Sequence, residues 1–106
     1  MTDRTKLYVD LFNSAVVTGD WDRWAAVLTE DAVMEFVGVP VGPYAGRSAV
    51  RDAYRAQPPD DTIEPAGSVS HAAVDVIEFA WSRGGRGVLR LSWRADRVSK
   101  IVVEFR

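Results

Sequence analysis

Apolar residues near the N-terminus recur at helical spacing, and six of them form one stripe at positions i, i+1, i+4 and i+5: Leu7, Tyr8, Leu11, Phe12, Ala15 and Val16. This pattern predicts a helix over residues 5–18 that buries one face. Gly19 ends it, because glycine adopts the left-handed conformation of a helix terminus without strain. Asp20 then suits the N-cap of a second helix over residues 21–28, and a strand follows over residues 32–37.

The hydrophobic period changes to two from residue 62 onward, which is typical of strands. Before that point, residues 47–56 form a third predicted helix, which two prolines stop. Four strands are predicted after it, the middle two joined by a glycine-containing hairpin turn: 62–72, 74–81, 87–95 and 98–105. The order ααβαββββ predicts a single α+β domain over residues 1–106, with three helices packed on one face of an antiparallel sheet.

Residues 38–44 interrupt this regular pattern with two glycines and two prolines, which exclude a long helix or strand. The segment is nevertheless strongly apolar, which is unusual for a solvated loop. We therefore predict that it packs under another element or lines a cavity, and that it closes one end of that cavity.

Composition narrows the partners that this chain can take. The formal net charge is −2 and the 13 cationic residues are dispersed, which argues against nucleic acid, because phosphate backbones bind clustered cations. No apolar run approaches a membrane span and the N-terminus lacks the apolar core of a signal peptide, so we expect a cytoplasmic protein with no membrane partner. A single histidine and the absence of cysteine argue against a metal site, and no cofactor is expected.

Two segments resemble the nuclear transport factor 2-like superfamily, which includes ketosteroid isomerases and SnoaL-like polyketide cyclases. The first is LYVDLFNSAVVTGDWDRWAAVLTEDAVMEF over residues 7–36, and the second is GRSAVRDAY over residues 46–54. The resemblance implies a cone-shaped barrel of curved antiparallel sheet, with three helices packed on one face and an apolar cavity between them. Because the superfamily also contains pure binding modules, this fold does not by itself determine a reaction.

The resemblance also implies roles for individual residues. Tyr8 falls where ketosteroid isomerases carry the tyrosine that donates to the oxyanion, and Tyr54 falls where a second tyrosine supports it. Both tyrosines can equally be core residues whose hydroxyls bond to backbone or water. Glu35 lies beside the position of the general base, and the remaining acid falls near Leu89, which has no acidic side chain. The cavity would be lined by apolar and aromatic side chains, the predicted substrate-binding residues: Met34, Phe36, Tyr44 and Trp93.

The sequence leaves the identity of the pocket acid open. Strand alternation places Glu35 on the face opposite Met34, unless a bulge turns it inward. The alternatives are His71, Asp75 and Glu78. Because Asp75 and Glu78 have opposite parity, at most one of them faces the cavity.

Two functions therefore follow from the sequence. The leading hypothesis is cofactor-independent proton transfer on a small hydrophobic carbonyl compound, with Glu35 as base and Tyr8 as oxyanion donor. The alternative is a non-catalytic module for binding a small molecule or for dimerisation. In either case we predict a homodimer through the sheet face away from the helices, because valines give both faces of the sheet apolar content: Val74, Val76, Val88 and Val102.

Overall fold

Capping residues define the two ends of the first helix and the start of the second. In the computed structural model, which describes all 106 residues, the Thr2 hydroxyl accepts the Thr5 N–H at the start of α1, and Gly19 ends that helix with a φ of 80°. The Asp20 carboxylate accepts the Arg23 N–H at the start of α2. Three helices are thus confirmed: α1 (Asp3–Thr18), α2 (Trp21–Ala25) and α3 (Arg47–Ala56).

The second helix is shorter than predicted, and the first strand begins earlier. A backbone bond from the Val98 N–H to the Val27 carbonyl, of 2.8 Å, aligns Leu28 with Val98 and draws this segment into the sheet. The acidic pair Glu30 and Asp31, which interrupts the apolar pattern, is accommodated by a shift of register and stays exposed.

Six strands form one sheet in the order β2-β1-β6-β5-β4-β3. Their bounds are β1 (Leu28–Val37), β2 (Tyr44–Ala45), β3 (Ile63–His71), β4 (Val74–Trp81), β5 (Arg86–Arg94) and β6 (Arg97–Phe105). The predicted antiparallel meander from β3 to β6 is confirmed. The α+β cone is confirmed as well, but its sheet is mixed, because β1 pairs with β6 in parallel, and it curves without closing into a barrel.

Alternating residues of the strands face the helices and form the core. Met34, Ile77 and Leu91 are completely buried there, together with Trp24 of α2 and Tyr8 of α1. The other sheet face, which we call the outer face, carries no helix. The side chains that alternate with the core residues along each strand lie on this face.

The two ends of the sheet differ. β1 and β6 finish at one end, beside the turn over residues 82–85 between β4 and β5, and we call this the mouth end. The turns after β3 and β5 lie at the opposite end. None of the three helices has the length and apolar character needed to cross a membrane.

The apolar loop between β1 and β2 lies on the surface and does not close a cavity as predicted. Residues 38–43 are exposed, with Val39 and Val41 each about two-fifths accessible. They border a shallow surface pocket beside Glu35. The prediction that this loop closes the cavity is wrong, because its four Gly and Pro residues leave few side chains able to reach the core.

Candidate functional site

A cavity of about 510 Å³ opens at the mouth end, between the sheet and the end of α3. We call it the mouth cavity. Its volume lies within the range of small-molecule sites. It is lined by the ends of β1 and β6, the last turn of α3, the loop after it and the turn between β4 and β5: Phe36, Tyr54, Gln57, Pro59, Asp60, Asp61, Trp81, Arg83, Gly84, Val103 and Phe105.

Three aromatic rings on the sheet form a row along this cavity. Phe36 and Phe105 lie with ring centroids 6.3 Å apart and planes 13° from parallel, and Trp81 continues the row 6.5 Å beyond Phe105 at 11°. Tyr54 of α3 meets Phe36 edge-on at 6.3 Å. Because Phe105 is 40% exposed and Phe36 and Trp81 are partly exposed, this aromatic surface is open to an incoming molecule.

Charged residues form the rim of the same cavity. The Asp61 carboxylate accepts backbone N–H groups from Thr62 at 2.9 Å and from Arg83 at 2.8 Å. The Arg83 guanidinium lies 3.8 Å from Asp61 and 3.6 Å from Asp60, and it donates to the Asp60 carbonyl. The loop after α3 is therefore joined to the turn between β4 and β5, and the rim carries two carboxylates and one guanidinium.

A much smaller inner void, of about 20 Å³, lies behind the mouth cavity. Tyr54, Trp81 and Val103 border both spaces and separate them, and Tyr8 borders only the inner one. All eight side chains around the void are apolar or aromatic, so no carboxylate faces Tyr8 there. The cone is therefore filled by its own side chains except at the mouth.

Both predicted catalytic tyrosines are buried. Burial raises the Tyr8 pKa well above its usual range, and the neighbouring Tyr54 adds to the rise. The Trp24 indole N–H lies near the Tyr8 hydroxyl and offsets part of the rise, but its geometry falls short of a hydrogen bond, so this N–H has no partner. Burial alone raises the pKa of Tyr54 in the same direction. Both hydroxyls are consequently protonated donors at neutral pH.

The predicted base, Glu35, lies away from these tyrosines. Its side chain is on the outer face, 42% exposed, and its carboxylate lies 3.5 Å from the Lys100 ammonium. The alternation that buries Ala32 and Met34 on the helix side continues to this position without an inward bulge. The structure therefore does not bring Glu35 together with Tyr8 or Tyr54.

Of the alternative bases, the two acids of β4 lie on opposite sheet faces, as their parity predicts. His71 and Glu78 are exposed, whereas Asp75 faces inward and is completely buried. Asp75 lies at the opposite end from the mouth cavity. It cannot serve that cavity as a base.

Asp75 accepts five hydrogen bonds, and we call the group around it the Asp75 cluster. Arg4 donates at 3.0 and 3.1 Å, Thr5 at 2.6 Å, Ser70 at 2.7 Å and the Trp93 indole at 2.9 Å. Burial acts to raise the Asp75 pKa, but the hydrogen bonds and the Arg4 charge outweigh it and hold the pKa well below its usual range. The cluster joins α1 to β3, β4 and β5.

The predicted substrate-binding residues are dispersed. Phe36 borders the mouth cavity, but Met34 is completely buried beneath the core and Tyr44 packs edge-on against Phe36 at 6.4 Å outside the cavity. Trp93 is 6% exposed and donates to Asp75 at the opposite end. Sequence reasoning missed the rim residues, for which a charged dipeptide after two prolines, Asp60-Asp61, was the available signal.

The fold and the position of the cavity now allow comparison with known proteins. The sequence profile of the SnoaL-like domain matches residues 8–99. The chain belongs to the SnoaL-like domain family. This membership confirms the superfamily that the two N-terminal segments indicated. No curated protein gives a significant match to this SnoaL-like chain.

Solved structures share the whole architecture with this SnoaL-like domain. A nuclear transport factor 2-like protein from Anabaena variabilis aligns with a TM-score of 0.78 at 18% identity, over 97% of this chain and 87% of its own. A SnoaL-like protein of unknown function from Burkholderia thailandensis aligns with 0.74 at 17%, over 100% and 97%. A proposed ketosteroid isomerase from Kribbella flavida aligns with 0.75 at 17%, over 99% and 79%. At these identities the likeness shows the fold alone.

Proposed function

We propose that this SnoaL-like domain binds a small, flat, largely apolar molecule in the mouth cavity. The observation that carries this proposal is the row of Phe36, Phe105 and Trp81, whose nearly parallel rings face an open space of about 510 Å³. Flat rings of a ligand gain both burial and aromatic contact against such a surface. The rim residues Asp61 and Arg83 supply polar partners for a substituent at its edge.

Binding without catalysis is favoured because the groups for ketosteroid-isomerase-like proton transfer do not meet. Glu35 is ion-paired on the outer face, and no carboxylate borders the inner void where Tyr8 lies. A general base must come within about 3 Å of the proton that it takes, or act through one water. Neither Glu35 nor Asp75 satisfies this requirement at the mouth cavity.

One observation supports proton transfer as a second candidate. Asp61 and Tyr54 border the same cavity, so a carbonyl compound held there would lie beside an acid and a tyrosine. In that reaction Asp61 would take the place predicted for Glu35. Asp61→Asn would then abolish turnover while preserving binding, whereas Glu35→Gln would leave both unchanged.

A ligand screen with matched variants tests the binding proposal. Polycyclic aromatic, steroid and flavone-like compounds would be ranked by the rise they cause in melting temperature. A ligand at 100 times its dissociation constant adds about 2.7 kcal/mol to the free energy of unfolding. Phe105→Ala should remove most of this stabilisation, because it deletes the central ring of the row.

Leu7→Ala is the control, since Leu7 is an exposed apolar residue on α1 that does not border the cavity. It should bind every hit as the unmodified protein does. The proposal fails if no flat compound stabilises the protein, or if the hits bind Phe105→Ala undiminished.

A further inference from the structure

A second concave surface lies on the other side of the domain, at the N-terminal half of α3. This cleft, of about 460 Å³, is bordered by α2 and the residue after it, the first half of α3 and the first residue of β6: Asp22, Ala25, Ala26, Arg47, Arg51 and Arg97. We call it the arginine cleft. Two of its arginines belong to the GRSAVRDAY segment, of which only Tyr54 borders the mouth cavity.

The fold brings these arginines together from distant parts of the sequence. Arg47 and Arg51 are four residues apart, so they share one face of α3. The parallel pairing of Leu28 with Val98 sets Arg97 beside the end of α2. The two alanines of the lining, Ala25 and Ala26, have small side chains that occupy little of the cleft.

The charges in the cleft are only partly neutralised. Arg51 pairs with Asp22 at 3.4 Å and with Asp52 at 3.2 Å. Arg47 makes one long contact, of 3.4 Å, to the uncharged Leu28 carbonyl. Arg97 has neither an ion pair nor a side-chain hydrogen bond. Three arginines against one lining aspartate leave an excess of positive charge in a chain whose net charge is −2.

We propose that the arginine cleft binds the phosphate group of a small phosphorylated molecule. Guanidinium groups match the oxygens of a phosphate in pairs, and a concave site strengthens their combined field. Asp22 on the wall then provides an acceptor for a hydroxyl or amino group of the same molecule. An extended nucleic acid is disfavoured, because Asp22 of α2 and Asp52 of α3 both pair with Arg51 and neutralise this cation of α3.

Titration with inorganic phosphate at constant ionic strength tests this site, with backbone amide shifts as the measurement. Phosphate should shift the amides of residues 25–26, 47–51 and 97 with saturation. Acetate, a monocarboxylate, should bind at least ten times more weakly. The variants Arg47→Gln and Arg97→Gln should each weaken phosphate binding by about tenfold.

Arg86→Gln is the matched control, because Arg86 is exposed, has no ion pair and does not border the cleft. It removes the same charge and should change phosphate affinity by less than twofold. Amide spectra of each variant would establish that it is folded. The proposal is overturned if phosphate causes no saturable shift in the cleft, if acetate binds equally well, or if all three variants weaken phosphate equally.

Discussion

Asp75 is the one carboxylate that the fold encloses completely. A buried charge is costly unless it is paired and hydrogen-bonded, and here five donors surround it. The Arg4 guanidinium also lies 5.1 Å from the centre of the Trp93 ring. At the scale of single residues, this cluster anchors the N-terminus of α1 to the sheet, and the charge within it is structural.

Asp75→Asn should therefore destabilise the fold without affecting the mouth cavity. The amide cannot accept all five hydrogen bonds and leaves Arg4 without its counter-charge, so we expect a loss of about 3 kcal/mol in the free energy of unfolding. Urea denaturation measures this loss. Asp31→Asn, which breaks the exposed pair with Arg94, should cost much less. An equal loss in both variants would contradict the account.

The same cluster predicts how stability depends on pH. The Asp75 pKa is lowered in the folded state, so its contribution is fully present above the unfolded-state pKa of about 4 and is lost as the pH falls toward the folded value. The stability difference between the unmodified protein and Asp75→Asn should accordingly shrink between about pH 5 and pH 2. Chemical denaturation at each pH measures this stability difference. If the difference stays constant over this range, Asp75 is not charged in the fold.

The sequence predicted which sheet face each acidic residue occupies better than it predicted the residues that bond to it. Strand alternation correctly predicted that only one of Asp75 and Glu78 faces the core. It also correctly placed Glu35 on the face opposite Met34. It did not reveal that Arg4 and Thr5 reach Asp75 across about seventy residues, because nothing in a local pattern encodes such a contact. Trp93 was assigned to the cavity for its aromatic character, whereas its indole N–H is used by Asp75.

At the scale of elements, strand β5 shows how one small residue permits the local packing. A Cβ built on Gly87 would overlap the Phe79 ring and approach the Glu104 carbonyl to 2.8 Å. Phe79 in turn meets Trp81 edge-on at 5.2 Å. Because Trp81 lines the mouth cavity, a side chain at position 87 that displaced Phe79 would also disturb the cavity wall.

Gly87→Ala should consequently lower the free energy of unfolding by about 1–3 kcal/mol, as expected when a methyl group is forced into a filled space. Gly67→Ala is the control, since nothing lies within 4 Å of its added Cβ and its φ is not positive. It should be neutral or slightly stabilising. Thermal unfolding of both variants compares them, and a stable Gly87→Ala would mean that Phe79 can move aside.

The elements themselves were largely predictable, but one pairing between them was not. Helical and alternating periodicities placed α1, α3 and the meander from β3 to β6 within a few residues. The parallel pairing of β1 with β6 escaped prediction, because the apolar pattern of a strand identifies its buried face and not its neighbour. The two-residue strand β2 is too short to produce any period.

At the scale of the whole molecule, the prediction of a homodimer rests on the outer face. One row across the sheet runs from Val69 through Val76, Arg90 and Val102 to Glu35. Its charges are already paired within the chain, Arg90 with Glu104 at 3.4 Å and Glu35 with Lys100. We propose that this face packs against the same face of a second copy, because the charges along this row are neutralised within the chain and need no partner across the interface.

Val76→Glu should then convert a dimer into a monomer, because it places an unpaired charge in the centre of the interface. Val17→Glu, on a residue of α1 that is 78% exposed, should leave the dimer intact. Sedimentation velocity at micromolar concentrations distinguishes the two species. A monomer for the unmodified protein at high micromolar concentration would refute the dimer.

Binding of a small molecule in the mouth cavity is the central claim, and the tryptophan indole signals test it most directly. Of the four tryptophans, Trp81 borders the cavity and Trp93 lies at the opposite end in the Asp75 cluster. Titration with the strongest flat ligand should shift the Trp81 indole N–H resonance with saturation and leave that of Trp93 unchanged. A shift at Trp93 with none at Trp81 would contradict the account.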